Sequence, residues 1–330
     1  MRRAVPSSLL LAASCGAPAA APEPAAPVGE AVVVCGQRFP IGAPVVLWTD
    51  PGGYDGTSPL PAFDREGDLD GDDGSAGERV APGPRYTPGR AARGEPGEVL
   101  VAPGSTDLQR LREVVDLFVV HYDACGTSRR CFEVLQDLRG LSVHFLLDLD
   151  GTLYQTLDLR DQAWHAAEAN PRSIGVEIAH VGAHPPADFE MQTAAWYALD
   201  ARGPRITIPA EREPSGVRTA GFVGRPARPG VARGVIQGQR LDMYDFTPEQ
   251  YASLARLAAA LCSIFPRIAP EVPRDAWGGV RSVALDEAEL AAFSGILGHY
   301  HVTPRKVDPG PAFDWERLLS GARAALPAER

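Results

Sequence analysis

Residues 141–158 read LSVHFLLDLDGTLYQTLD. Two apolar runs of strand length flank Asp150-Gly151, and an Asp-Gly pair supplies the positive φ that a tight hairpin turn requires. The stretch therefore predicts two antiparallel strands. On its N-terminal side, LFVVHY (117–122) is a short continuous apolar run of the buried-strand type. RRCFEVLQDLRG (129–140) has helical spacing and stops at Gly140, a C-cap residue. On the C-terminal side, SIGVEIAHVG (173–182) is another strand. Strands alternating with helices predict the α/β class, a mixed central β-sheet flanked by helices.

Further out, Thr247-Pro248-Glu249-Gln250 begins a helix with an N-cap, a proline at the first helical position and a capping-box glutamine. That helix continues through YASLARLAAALCSIF to Pro266, and FDWERLLSGARAAL forms the last one. AVVVCGQRF (31–39) and PVVLWTD (44–50) read as strands near the start. Between them and the central block, the Gly-, Pro- and charge-rich stretch from Asp64 to Glu98 reads as a long surface loop. Residues 201–240 are again rich in Pro, Gly and Arg and read as inserted. No internal repeat is visible.

The chain has 330 residues, is 45% hydrophobic and carries a formal net charge of −10. That length supports a substantial core. No Lys/Arg block is present, so nucleic acid is not an expected partner. Arg2 and Arg3 precede a short apolar run, and the small residues before Cys15 resemble a lipoprotein cleavage box. The run is shorter than the roughly 20 residues of a membrane span. The expectation is an export signal over 1–15 with Cys15 lipidated, and an Ala/Pro-rich tether over 16–29. One folded domain over 30–330 follows, with an N-terminal extension over 30–105 and an insertion over about 182–242. This predicts a periplasmic, lipid-anchored protein. Removing Cys15 leaves four cysteines in an oxidising compartment. Cys125 and Cys131 are near enough in sequence to close a small loop. Cys35 and Cys262 then pair by elimination, or Cys262 is a buried thiol in its apolar helix.

Seven histidines are present. His121 ends the LFVV strand, at the strand end where α/β proteins place their sites. His299 follows the apolar SGILG, and Asp308 lies nine positions further on. Two imidazoles and a carboxylate are a recurring catalytic zinc set that leaves one position open for water.

Four segments carry a family resemblance. FVVHYDACG, SVHFLLDLDGTLYQ, AWHAAEANPRSIGVEI and GHYHVTPRKVDPGPAFDW resemble, in order and approximate separation, the motif blocks of the type 2 N-acetylmuramoyl-L-alanine amidase and peptidoglycan recognition protein superfamily. The resemblance spans about 117–316 and is interrupted by the insertion. It implies Zn²⁺ held by His121, His299 and Asp308, with Glu177 as the catalytic acid/base and Lys306 stabilising the oxyanion. It implies that Trp164, His165 and Asn170 line the substrate groove, with His165 open to a loop-holding role instead. CGTSRRC resembles the short disulfide loop of the recognition proteins, which implies a Cys125–Cys131 bond. His301 falls where relatives carry an acidic residue and has no ligand role. Val143 stands where some relatives have a catalytic tyrosine, which leaves Glu177 as the sole acid/base. The implied activity is hydrolysis of the amide between N-acetylmuramic acid and L-alanine by a monomer acting on peptidoglycan or muropeptides. The competing readings are a binding module without hydrolysis and a zinc peptidase acting on the stem peptide.

Overall fold

The structure is a computed structural model that describes residues 28–63, 69–70, 76–77, 79–92 and 97–326. The expected export signal, Cys15 and most of the expected tether lie outside the described residues. A seven-stranded sheet is built from β1 (Gly29–Val34), β2 (Gln37–Leu47), β3 (Leu117–Tyr122), β4 (Phe145–Leu147), β5 (Leu153–Gln155), β6 (Ser173–Ile178) and β7 (Gly295–Gly298). Their spatial order is β1-β2-β5-β4-β6-β3-β7. The pairs β1/β2 and β4/β5 are antiparallel, and the remaining neighbours run parallel. The sheet is therefore mixed, as the alternation of elements predicts.

The hairpin of 141–158 forms as expected. Gly151 has φ +83° and donates its N–H to the Asp148 carbonyl, and Asp148 donates to Thr152. One strand boundary differs from the sequence reading. AVVVCGQRF is not a single strand: it turns at Cys35-Gly36, whose φ values are +51° and +74°. Positive φ at both central residues is the twist-matched hairpin geometry. The Asp158 carboxylate accepts the N–H of both turn residues, at 2.8 and 2.7 Å. The second half, QRF, then runs straight on through PVVL as β2.

Three of the helices bear on the sheet and the site: α1 (Ser128–Glu133), α2 (Pro248–Ile264) and α3 (Trp315–Ala325). Past Glu133 the chain widens into π-type turns over Val134–Arg139 and stops at Gly140, φ +61°. The capping box at Thr247 and Gln250 is present, and both side chains also reach out of the helix. Thr247 Oγ1 donates to the Leu149 carbonyl and Gln250 Nε2 to the Ala179 carbonyl, each at 2.8 Å. The helix start is thereby fastened to the ends of β4 and β6.

Alternation along the parallel strands sorts the two faces of the sheet. Phe118 and Val120 of β3 and Ile174, Val176 and Ile178 of β6 pack into the core that α2 and α3 cover, with Leu254, Leu257, Leu261, Leu318 and Leu319. Each such side chain contributes about 1.5–3 kcal/mol on burial. Leu117 and Val119 face the other way, into a smaller cluster with Ala166, Ala169 and Leu297. His121 follows them in the period of two, and Ser173, Gly175 and Glu177 follow likewise on β6. The apolar face holds the fold, and the opposite face is left for chemistry.

The inserted residues have structure of their own: a short helix at Phe189–Thr193 and hairpins at Tyr197–Asp200/Gly203–Ile206 and Ala232–Ile236/Gln239–Met243. Its two ends meet. His184 and Asp242 exchange backbone hydrogen bonds of 3.0 and 2.8 Å. Among the described residues, no helix is long and apolar enough to cross a membrane.

Candidate metal centre and groove

The site lies at the C-terminal ends of three parallel strands. His121 is the fifth residue of β3, Glu177 is its register partner on β6, and His299 directly follows β7. Asp308 comes from the loop beyond, whose backbone is tied back by the Asp308 carbonyl accepting from Tyr300 N–H and by Gly310 N–H donating to Val307. His121 Nδ1, His299 Nδ1 and Asp308 Oδ2 form a triangle with all three edges 3.0 Å. All three residues are buried. Ligands about 2.0 Å from a tetrahedral zinc are separated by about 3.3 Å, so the triangle is close to the size of such a site. Two facing ring nitrogens and a carboxylate oxygen cannot all be served by the protons available to neutral imidazoles. A cation satisfies all three, and the residues fit Zn²⁺.

The electrostatics agree. Burial, then the neighbouring His299, pushes His121 down to about 4, so it is neutral at pH 7. Burial alone would raise Asp308, but His299 and the hydrogen bonds from both imidazoles hold it well below the usual carboxylate range. A neutral His121 imidazole and an anionic Asp308 carboxylate are protonation states that suit metal binding.

Behind His121 runs a hydrogen-bonded relay. His121 Nε2 lies 3.0 Å from His165 Nδ1, and His165 Nε2 lies 3.1 Å from Ser173 Oγ. With Nδ1 of His121 presented to the metal position, its Nε2–H donates to His165, whose own Nε2–H donates to Ser173. Burial and the neighbouring histidines push His165 well below its ordinary value, which keeps it neutral. Gly175 makes room for this ring, since a Cβ there would stand 2.5 Å from His165 Nδ1. One face of β6, Ser173-x-Gly175-x-Glu177, thus anchors His165, accommodates its ring and carries the carboxylate.

Glu177 Oε1 lies 3.8 Å from His121 Nδ1, while its Oε2 is buried with no hydrogen-bond partner among the described residues. Burial, then the charges of Asp308 and Asp123, pushes Glu177 well above the carboxylate range against the opposing pull of Lys306. The groove over the site has a volume of about 390 Å³, and its lining includes Trp164, His165, Glu177, His299, Lys306 and Asp308. Lys306 is exposed on its rim.

Three expectations change. Asn170 does not line the groove: its Oδ1 accepts the N–H of His165 and Ala166, at 3.1 and 2.6 Å, and holds their loop. His165 lines the groove, and its ring reaches His121 and Ser173 rather than holding a loop. Cys125 and Cys131 lie side by side, with a thiol hydrogen bond and no disulfide between them; Cys35 and Cys262 are buried thiols. Trp164 does line the groove, with its Nε1 donating to Thr87 Oγ1 at 2.9 Å. His301 is structural: its Nδ1 accepts from Gly298 N–H and its Nε2–H donates to the Arg281 carbonyl.

The sequence reading missed Arg90. It comes from the stretch taken as surface loop, yet is only 1% exposed. Its guanidinium donates to the carbonyls of Ser173, Pro171 and Leu159 at 2.9, 3.2 and 2.8 Å, beneath the relay. Burial pushes it down to about 10, so it remains charged at pH 7. No local pattern in a Gly/Pro-rich segment distinguishes such an arginine from a solvated one.

Residues 111–225 match the N-acetylmuramoyl-L-alanine amidase family model. The match contains His121, His165 and Glu177 and ends before His299 and Asp308, which the structure brings to them. The 1,6-anhydro-N-acetylmuramyl-L-alanine amidase AmpD of Haemophilus influenzae is 23% identical over 185 residues, 56% of this chain and 59% of that protein. The chain therefore spans about three-fifths of the length of this curated relative. A selenomethionyl AmpD crystal structure overlaps 78% of this chain and 99% of its own, at 20% identity and a TM-score of 0.33. The E. coli amidase AmiD, solved with anhydro-N-acetylmuramic acid-L-Ala-D-γ-Glu-L-Lys, overlaps 63% of this chain and 57% of its own, at 19% identity and a TM-score of 0.35. The matched segment carries both His121 and Glu177, and over residues 111–225 the chain is similar to the N-acetylmuramoyl-L-alanine amidase family.

Proposed function

We propose that this protein is a zinc-dependent amidase that cleaves the bond between N-acetylmuramic acid and L-alanine in peptidoglycan or its fragments. The observation that supports it most is the convergence of His121, His299 and Asp308 beside Glu177, whose raised carboxyl and unpartnered Oε2 face the groove. When bound, zinc supplies a Lewis acid for the scissile carbonyl and lowers the pKa of water towards about 7.

The chain's own residues do the rest. Glu177 takes the proton from the attacking water and returns it to the leaving amine. Its raised pKa suits both steps, and such a group contributes about 10²–10⁴ in rate. Lys306, on the rim, faces the negative charge that develops on the carbonyl oxygen. His165 and Ser173 hold His121 in the tautomer that presents Nδ1. Trp164 gives the groove an aromatic wall. A binding module without hydrolysis needs none of the relay or the buried carboxylate, and all three metal positions are filled here. An exported, lipid-anchored enzyme would meet this substrate in the periplasm.

Digestion of purified muropeptides by the zinc-loaded protein, with mass spectrometry of the products, tests the reading. The expected products are stem peptides beginning at L-alanine, and their release stops on chelation. Cleavage within the stem peptide, or no metal-dependent cleavage, would overturn it.

A further inference from the structure

His121 is oriented by His165, and the seat of His165 is built from Ser173, Gly175 and His144. Ser173 Oγ lies 3.1 Å from its Nε2, Gly175 leaves the space its ring fills, and the His144 ring stands edge-on to it, 5.8 Å between centroids. All of these lead back to Gly89 and Arg90, which lie outside the residues that the amidase family model matches.

The connections run atom by atom. Arg90 Nη1 donates to the Ser173 carbonyl at 2.9 Å, at the start of β6, and to the Pro171 carbonyl at 3.2 Å, in the turn that leads into that strand. His144 Nδ1 accepts the Gly175 N–H at 3.1 Å, so its Nε2 carries the proton and donates it to the Asp161 carbonyl at 3.0 Å. The Asp161 carboxylate in turn accepts the Gly89 N–H at 2.8 Å. Arg90 Nη2 donates to the Leu159 carbonyl at 2.8 Å and lies 3.5 Å from His144 Nε2. Gly89 has φ +71°, and a Cβ there would stand 2.2 Å from the Val101 carbonyl oxygen, so the turn that delivers Arg90 requires glycine. The same stretch reaches the groove wall, where Thr87 pairs with Gln162 and accepts the Trp164 indole N–H.

The choice of residue at 90 is informative. Burying a guanidinium is costly, and this one forms no ion pair with a carboxylate among the described residues; carbonyls alone compensate it. An apolar side chain would fill a core at lower cost. A rigid fork of donors is needed where several carbonyls must be held at fixed positions relative to one another.

We propose that Arg90 is a positioning residue of the metal centre. By fixing the start of β6 it seats His165, and through His165 it sets the orientation in which His121 meets the metal. The stretch 30–105, an extension by sequence, thereby supplies part of the framework of the site. The proposal rests on the zinc reading of the site and is independent of which bond is cut.

The test is a double-mutant cycle on zinc affinity, read on the full chain by competition against a chromogenic chelator. Arg90→Lys keeps the charge and the buried stem but replaces the fork by one ammonium, which cannot hold the three carbonyls together. It should weaken zinc binding about ten-fold, the lower end of the range for groups that orient a metal ligand. In a His165→Ala background the same substitution should change the affinity by less than about two-fold, because the group through which Arg90 acts is gone. Asp161→Ala releases the Gly89 N–H and leaves the guanidinium untouched; this milder variant should give a smaller loss with the same dependence on His165. Thermal melting of the metal-free proteins, run in parallel, should show Arg90→Lys lowering stability alike in both backgrounds while the affinities split. Wild-type zinc affinity in a folded Arg90→Lys or Asp161→Ala protein, or an affinity loss of the same size in both backgrounds, overturns the proposal. Failure to cleave muropeptides with the cycle as expected would count against the amidase reading alone, and a wild-type chain that binds no zinc overturns both.

Discussion

Replacing His165 by alanine should weaken zinc binding far more than it weakens the fold. In the metal-bound state His121 must present the Nδ1 lone pair, so its Nε2 carries the proton. That N–H has His165 Nδ1 as its acceptor at 3.0 Å. Without His165, a buried donor is left unpaired, at a cost of about 1–3 kcal/mol. In the metal-free state His121 escapes the penalty: it can adopt the other tautomer and donate Nδ1–H to Asp308 Oδ2, also at 3.0 Å. The penalty therefore falls mainly on the bound state and appears as an affinity loss of about 10–100-fold, the usual scale for a partner of a metal ligand. Competition against a chromogenic chelator measures it directly. Circular dichroism and thermal melting of the metal-free protein establish that the fold survives. His165→Gln, which keeps an acceptor, should recover part of the affinity. Gly175→Ala should reproduce the loss, because its Cβ would stand 2.5 Å from the His165 ring and displace it. A folded His165→Ala protein with wild-type zinc affinity would refute the relay, as would a glutamine variant no better than the alanine one.

Glu177→Gln should bind zinc within a few-fold of wild type yet lose about 10²–10⁴ in kcat on muropeptides; full activity in a zinc-loaded variant would remove Glu177 from the mechanism. Asp148 gives the fold a pH dependence. Burial, then Asp150, pushes it up to about 7, well above the usual carboxylate range. The folded state thus keeps a proton that the unfolded state releases. The resulting stability is fully present below about pH 4 and is lost as pH rises through about 7. Asp148→Asn should flatten the melting temperature across that window, and an unchanged slope would show that another group carries it. Arg90→Met leaves at least three carbonyls without their donor and should cost about 3 kcal/mol or more by denaturant titration; a change under about 1 kcal/mol would mean water replaces it. Cys15→Ala in cells should move the protein from the membrane fraction to the soluble periplasmic fraction, and persistence with the membrane would exclude a lipid anchor at that residue.

The parts of the site legible in the sequence are those where local pattern and chemistry coincide. LFVVHY ends in His121 and SIGVEI carries Glu177 on the face opposite its isoleucines, so a period of two already separates core from chemistry. The helix at Thr247 was equally legible, because a capping box is a local signal. What could not be read was held by tertiary contacts. The resemblance implies a groove-lining Asn170, yet its side chain serves two backbone N–H groups four and five residues back. Arg90 sits in a segment whose composition says solvent, and only the carbonyls that gather around it after folding make its burial affordable. The valines before Cys35-Gly36 predict a strand running through it; the turn is set by Asp158, more than 120 residues away.

The same distinction explains why the insertion gave no functional signal of its own. Its Trp196 stands among many arginines and prolines with no periodicity to single it out. Its position becomes meaningful only through Gly126, which lies in a different motif and looks, in sequence, like an ordinary turn glycine. Trp196 occupies the space a side chain at 126 would need, so the groove wall depends on the missing Cβ. Any residue larger than glycine at 126 must displace the indole or the loop that follows His121. The insertion and the loop after His121 are therefore coupled through one glycine. Changes at either should be felt in substrate binding before they are felt at the metal, which the other face of β3 and β6 holds independently.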